Sequence, residues 1–361
     1  MNNFESLVSL NLIPQIGSVR LGQLLKYFDH PAEIFKANRE SLDAIVGVRI
    51  SESIISFDCK NLENDLALAK KAGLKIITLF DGDYPYSLSQ IPGLPIVLYV
   101  SGEITEADFL SLGIVGSRRA SLYGLSSAEK FAAELSQNHL TIVSGMARGV
   151  DTYAHRGALK VKGRTIAVMG SGFNHIYPPE NRSLAEEIAK NGAVVSEFPM
   201  NTKPLAQNFP RRNRLISGLS LGVLVTEAAR NSGALITVDF ALEQGREVFA
   251  LPGRIDSCGS MGANQLLKQG AKLVTCCDDI LEELNLGIPS IRKLNNQVIK
   301  QNIISEKEQG LLYNYITQQA ISIDDLVEKT SLSSSQISNL ILKLQFSKLI
   351  KELPGKQFIR S

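Results

Sequence analysis

Leu112-Gly-Ile-Val-Gly116-Ser117-Arg118-Arg119 packs the argument for the fold into eight residues. A short β-prone run ends in a glycine–serine turn, and an amphipathic segment follows it. A strand that empties through small residues into a helix is the unit of a doubly wound parallel sheet. The same unit recurs downstream. Val143-Ser144-Gly145-Met-Ala-Arg148-Gly149-Val-Asp151, Val168-Met-Gly170-Ser171-Gly172 and Glu227-Ala-Ala-Arg230-Asn231-Ser232-Gly233-Ala234 are further turns of this kind. Strands are expected at Lys75–Leu79, Ile96–Val100, Leu112–Val115, Thr141–Val143, Thr165–Met169, Ala193–Ser196, Leu221–Val225, Glu247–Ala250 and Lys272–Thr275. The fold class is α/β, a Rossmann-like doubly wound sheet that is mainly parallel. Such a sheet holds its ligand at the carboxyl ends of its strands, near the topological switch point.

At that end each small-residue turn presents backbone N–H groups at the start of a helix, where an anion is favoured. Arg118, Arg119 and Arg148 add full charge there. One turn of this type is often only structural, but four converging turns, three of them carrying arginine, point to a phosphate pocket. Asn208-Phe-Pro-Arg-Arg-Asn-Arg-Leu-Ile-Ser-Gly-Leu-Ser220 leads into the strand at Leu221–Val225, so its cations are expected at the same rim. No acidic residue lies between Glu197 and Glu227 to neutralise Arg211, Arg212 and Arg214. Phe209 stands before Pro210, which disfavours a deep helical position. A cationic cluster edged by an exposed ring suits phosphates and flat bases together, as in single-stranded nucleic acid. The plainer alternative is a ring packed on its own domain with arginines in surface ion pairs.

Other chemistries find little footing. There is no G-x-x-x-x-G-K-[ST] loop, and Gly170-x-Gly172 is followed by His175 where a dinucleotide fingerprint needs a third glycine. His30, His139, His155 and His175 form no metal-ligand array, and Cys59, Cys258, Cys276 and Cys277 make no C-x-x-C pair. No cofactor and no metal are expected. Cys276-Cys277 reads as buried thiols at a strand end. Asp151 reads as a helix cap beside a partly exposed His155. Glu197 and Glu227 fall at strand ends, where they could act as general bases or hold Arg148 or Arg212 in place. The net charge is only +2, so any attraction to a polyanion is local. MNNFESLVSL lacks the features of a secretory signal, and no apolar run approaches membrane-spanning length, so a cytoplasmic protein away from the membrane is expected.

The 361 residues divide by pattern. Residues 1–70 carry helical spacing, broken at Ile13-Pro14-Gln15-Ile16-Gly17 in the manner of a helix-hairpin-helix turn. Residues 71–285 carry the strand–helix alternation. Residues 286–304 are polar and read as a linker. Residues 305–361 suggest helices at Glu306–Gln318, Ile323–Thr330 and Ser333–Phe346. Two β-prone runs follow, Leu349–Leu353 and Gln357–Arg360, joined by Pro354-Gly355 in the pattern of a winged helix. That last unit has nearly balanced charge, so it is expected to be a weak duplex binder.

Gly116-Ser-Arg118 with Tyr123-Gly124, Ser144-Gly-x-Ala-x-Gly149-x-Asp151, Ala154-His155-x-Gly157, and Ile176-Tyr-Pro-Pro-Glu-Asn181 follow one another in an order that resembles the DNA-processing protein A family (DprA, also called Smf). Ser196-Glu-Phe-Pro199, Phe209-Pro-x-Arg-Asn-Arg-x-Ile-Ser-Gly-Leu-Ser220, Ser232-Gly-Ala-Leu-Ile-Thr237 and Val248-Phe-Ala-x-Pro-Gly253 continue the match. The resemblance implies a protein without catalytic activity that binds single-stranded DNA, helps load the RecA recombinase during natural transformation, and self-associates as a homodimer. It also implies that Arg118 grips phosphate and that Phe209, Arg212 and Asn213 form the stacking and phosphate segment. The full candidate set is Gly116, Ser117, Arg118, Arg119, Ser144, Gly145, Arg148, Gly149, Phe209, Arg211, Arg212, Asn213, Arg214, Ser232 and Gly233. The competing readings are a nucleotide-processing, phosphoribohydrolase-like enzyme using Glu197 or Glu227, and a nucleotide-sensing winged-helix regulator.

Overall fold

The computed structural model describes residues 1–286 and, toward the C-terminus, residues 312–317, 321–330, 332, 337, 340–341, 344, 350–353 and 357–360. The expected linker from 287 onward, the first part of the helix at Glu306–Gln318, much of Ser333–Phe346 and the Pro354-Gly355 turn lie outside the described residues. The chain divides into two compact units, Met1–Leu284 and Asn285–Ser361.

Nine strands form the sheet of the first unit: β1 (Lys75–Thr78), β2 (Val97–Gly102), β3 (Ser111–Val115), β4 (Thr141–Ser144), β5 (Thr165–Val168), β6 (Gly192–Ser196), β7 (Gly222–Val225), β8 (Glu247–Ala250) and β9 (Lys272–Leu273). Their order is β1-β2-β6-β5-β4-β3-β7-β8-β9. The seven strands from β6 to β9 run parallel, while β1 and β2 join antiparallel at one side. The central strands are buried along their whole length, as expected for a parallel sheet covered on both faces. Chain order reverses between β3 and β7, which pair with Leu112 opposite Gly222 and Val115 opposite Val225. That reversal is the switch point, and the turns after these two strands open beside each other.

Helices α1 (Asn3–Leu12), α2 (Ser18–Leu24), α3 (Pro31–Ile34), α4 (Arg39–Val46), α5 (Val48–Ile55) and α6 (Cys59–Lys71) form the N-terminal part. Asn2 and Glu5 close a capping box at the start of α1. This helical part shares one apolar core with the sheet: Leu7, Leu10 and Leu24 pack in the same cluster as Val97, Tyr99 and Met200. At the break between α1 and α2, Ile13 and Ile16 are buried in that core. Next come α7 (Tyr86–Ser89), α8 (Leu122–Gln137), α9 (Val150–Lys160), α10 (Arg182–Asn191), α11 (Asn208–Leu219), α12 (Gly233–Glu243), α13 (Met261–Lys268) and α14 (Cys277–Glu283). Among the described residues no helix is long and apolar enough to cross a membrane.

The stretch that leads into β7 is a helix, α11, and Phe209 and Pro210 occupy its first turn, where a proline is tolerated. Two local expectations are corrected here. His155 is completely buried, with Nδ1 2.6 Å from Thr165 Oγ1, and burial lowers its pKa to about 3. Of the two adjacent thiols only Cys277 is buried; Cys276 is the exposed cap residue of α14.

In the second unit, β10 (Ile321–Ser322), β12 (Gln357–Arg360) and β11 (Ile350–Leu353) make a three-stranded antiparallel sheet in that order. A helix at Ile323–Thr330 follows β10 directly. Leu312, Leu326, Leu340, Ile350 and Phe358 belong to its core. The extra strand is only two residues long, too short to stand out as a β-prone run.

Candidate nucleic-acid interface

A cavity of about 680 Å³ opens at the switch point. The turn after β3 contributes Gly116, Ser117, Arg118 and Arg119; the first turn of α11 contributes Phe209 and Pro210; the start of α12 contributes Ser232 and Gly233. Arg212 and Asn213 reach the floor from α11, and Tyr177 and Asp151 complete one side. Among these lining residues three arginines face a single carboxylate, so the cavity carries net positive charge. The N-terminus of α12 adds its dipole. The Ser232 hydroxyl accepts from the Ala234 N–H at 3.3 Å, and the Asn213 amide donates to the Gly233 carbonyl at 3.3 Å, which fixes α11 against that helix start.

The arginines are not equivalent. Arg118 and Arg119 are exposed. The Arg118 guanidinium lies 5.1 Å from the centroid of the Phe209 ring, and the half-buried ring rests on Gly170. Arg212 is only 3% exposed. Its Nη1 donates to the Gly145 carbonyl at 2.5 Å and also to the Val168 carbonyl, and its Nε donates to Asn213 Oδ1 at 3.1 Å. It therefore bridges the ends of β4 and β5 from beneath the pocket. Burial lowers its pKa to about 10, partly offset by the negative charge of Asp151. Asp151, also buried, has its pKa raised by desolvation, while Arg212 and the Ala147 N–H pull it back.

Arg211 and Arg214 go elsewhere. Arg214 Nη2 meets Glu197 Oε2 at 2.5 Å, and Arg211 Nε lies 3.4 Å from Glu197 Oε1. Arg211 also sits 5.3 Å from the Phe198 ring centroid. Neither lines the cavity. Glu197 thus holds Arg211 and Arg214, not Arg148 or Arg212. Glu227 accepts from the backbone N–H and hydroxyl of Ser121, the cap residue of α8, while its own carbonyl accepts from the Ser117 N–H at 2.8 Å. Both carboxylates are buried, at 3% and 4% exposure, and hold the rim in place.

Ser144, Gly145, Arg148 and Gly149 line the cavity in none of its walls. The Ser144 hydroxyl donates to the Ile114 carbonyl at 2.6 Å and ties β4 to β3. Gly149 caps α9 with a φ of 77°, a conformation that favours glycine. Arg148 is exposed, pairs with Glu180 at 2.5 Å and lies 5.7 Å from the Tyr177 ring centroid. That pairing raises the pKa of Arg148 and lowers that of Glu180. Tyr177 escaped the sequence reading as a site residue. Its ring centroid is 5.8 Å from that of Phe209, with the planes tilted by 54°. The signal for it was an aromatic beside two prolines in a loop after a glycine turn, which carries no role until the fold brings it across 32 residues to Phe209.

Comparison with known proteins agrees with this architecture. The model of the family described as DNA recombination-mediator protein A matches residues 75–285, and that of the DprA winged helix domain matches residues 301–356. Protein Smf of Escherichia coli (strain K12) is 39% identical over 329 residues, covering 88% of this chain and 88% of that protein. The DNA processing protein DprA of Bacillus subtilis (strain 168) is 42% identical over 243 residues, covering 67% of this chain and 82% of that protein. Among solved structures, DNA processing protein A from Streptococcus pneumoniae aligns with a TM-score of 0.68 at 35% identity, covering 78% of this chain and 98% of that one. The Helicobacter pylori DNA processing protein A, solved to describe its single-stranded DNA binding mode, aligns with a TM-score of 0.52 at 31% identity, covering 58% of this chain and 95% of that one. With both family models matched in chain order and relatives of 39% and 42% identity covering two thirds of the chain or more, the chain belongs to the DNA recombination-mediator protein A (DprA) family.

Proposed function

We propose that this protein binds single-stranded DNA in the switch-point cavity, without sequence preference and without catalysing a reaction. The observation that carries the reading is the pairing of exposed Arg118 with the half-buried Phe209 ring at the mouth of a net-positive cavity. A base stacks on the ring, and the guanidinium that covers the ring turns to the phosphate beside that base. Arg119, the Gly116–Ser117 turn and the start of α12 at Ser232–Gly233 flank the same phosphate. Phosphate contacts carry no sequence information, so base composition matters little. Arg212 and Asn213 act from below by fixing the floor, and Arg211 and Arg214 by fixing α11 through Glu197. Relatives of this family support the ligand class, since one solved structure concerns a single-stranded DNA binding mode.

The hydrolase reading loses support in the same geometry. Glu197 is engaged by Arg214, and Glu227 by Ser121, so neither candidate base is free to activate water. The finer reading, hand-over of the strand to RecA during natural transformation by a cytoplasmic homodimer, rests on the family resemblance. Fluorescence anisotropy with an oligo-dT and a duplex of equal length tests the ligand class. Tighter binding to the single strand, weakened by Phe209→Leu, is expected; equal affinity for both strands, unchanged in the variant, would overturn it.

A further inference from the structure

The Arg118–Phe209 pair has a neighbour of the same construction. Arg148 covers Tyr177 as Arg118 covers Phe209, at 5.7 Å and 5.1 Å from the ring centroids, and the two rings touch at 5.8 Å. The result is a row, Arg118–Phe209–Tyr177–Arg148, whose first three members line the cavity and whose last lies just outside its walls. Tyr177 lines the cavity and is half-buried, so part of its ring is open to a ligand. We propose that Tyr177 is a second base platform beside Phe209, so that the site holds two successive nucleotides, with Arg148 resting on Glu180 until the strand arrives. The inference rests on the single-stranded DNA reading above and goes beyond it in the number of bases held and the residues that hold them.

The geometry favours a single strand over a stacked one. Bases in a duplex strand rise about 3.4 Å apart. Rings centred 5.8 Å apart and tilted by 54° receive two neighbouring bases only when those bases have parted from each other. A single strand allows this and a duplex does not. Arg148 is built to change partners. Its ion pair with Glu180 joins two half-exposed side chains, the type of pair that holds weakly in water. A backbone phosphate next to Tyr177 offers it a competing anion. The Tyr177 hydroxyl, 3.5 Å from Arg148 Nη1, keeps the guanidinium near the ring meanwhile.

The alternative role for Tyr177 is to brace Phe209 without touching DNA. A strand in which every second nucleotide is an abasic spacer separates the two, because it never presents two successive bases. Anisotropy titrations of the full chain would use oligo-dT and this alternating strand at equal length and salt. Wild type should bind oligo-dT about tenfold more tightly than the alternating strand. Tyr177→Leu should lose most of that advantage while binding the alternating strand as wild type does, and Tyr177→Phe should keep it. Equal weakening of Tyr177→Leu on both strands, or no difference between the strands in wild type, would overturn the proposal. Phe209→Leu serves as the reference: if it binds both strands as wild type does, the single-stranded DNA reading of the cavity itself fails, an outcome distinguishable from a Tyr177 that only braces.

Discussion

Arg212 and Gly145 fit as charge and socket: the guanidinium donates to the Gly145 carbonyl at 2.5 Å, and a Cβ on Gly145 would stand 2.5 Å from its Nη2. A fully buried cation thus closes the ends of two neighbouring strands, and no side chain other than hydrogen fits opposite it. Removing Arg212 leaves two strand carbonyls without a donor and Asp151 without its strongest compensating charge. Arg212→Ala should therefore destabilise the first unit by about 3 kcal/mol or more. Gly145→Ala should cost about 1–3 kcal/mol by overpacking. Denaturant unfolding checks both. An Arg212→Ala variant as stable as wild type, but defective in DNA binding, would instead make Arg212 a direct ligand residue.

Arg118 behaves in the opposite way. It is exposed and takes no part in the core, so Arg118→Ala should leave the unfolding midpoint nearly unchanged. Its effect should appear in binding. The slope of log K against log salt for oligo-dT should become shallower by about 0.7, the contribution of one phosphate contact on a single strand. A parallel downward shift with the same slope would remove Arg118 from the phosphate.

Glu180 holds Arg148 near Tyr177 and competes with phosphate for it. Glu180→Gln should raise affinity for oligo-dT about threefold at low salt, with the gain fading as salt screens the exposed charges. Unchanged affinity at every salt concentration would place Arg148 outside the strand's path.

His155 gives the fold a pH signature. Its ordinary pKa of 6.5 falls to about 3 in the folded protein, because burial excludes the charged form. Below pH 6.5 the unfolded chain takes up a proton that the folded chain refuses, so stability declines as the pH falls from 6.5 toward 3. The difference between wild type and His155→Gln isolates this contribution from that of Asp151, whose raised pKa acts in the other direction. Wild type should lose about 1.4 kcal/mol more than the variant per pH unit below 6.5. Parallel stability curves from pH 7 to pH 5 would contradict the buried, neutral imidazole.

Most of the fold is legible in the sequence because parallel strands buried on both faces write themselves as short β-branched runs. Each of the nine expected runs overlaps an observed strand, with ends that agree or differ by one or two residues. Helix α11 is not legible in this way. Its buried face carries Arg212 and Asn213 as well as Leu215 and Ile216, so its hydrophobic period is blurred, and Pro210 in the first turn reads as a break. The charge cluster there was visible, but its division was not: nothing in Arg-Arg-Asn-Arg says that one arginine closes the sheet and two bind Glu197. Those roles depend on side-chain direction around a helix and on β4, β5 and β6, which lie far off in sequence. Tyr177 was missed for the same reason, since its partner Phe209 reaches it only through the fold.

The proposed path of the single strand runs through the switch-point cavity against Phe209. Photo-crosslinking places it most directly: an oligo-dT carrying one 5-iododeoxyuridine is irradiated with the full chain, and the adduct is mapped by mass spectrometry. Adducts should fall on Phe209 or Tyr177 and vanish when unlabelled oligo-dT is added in excess. Adducts confined to residues 305–361, with none between 116 and 237, would contradict it.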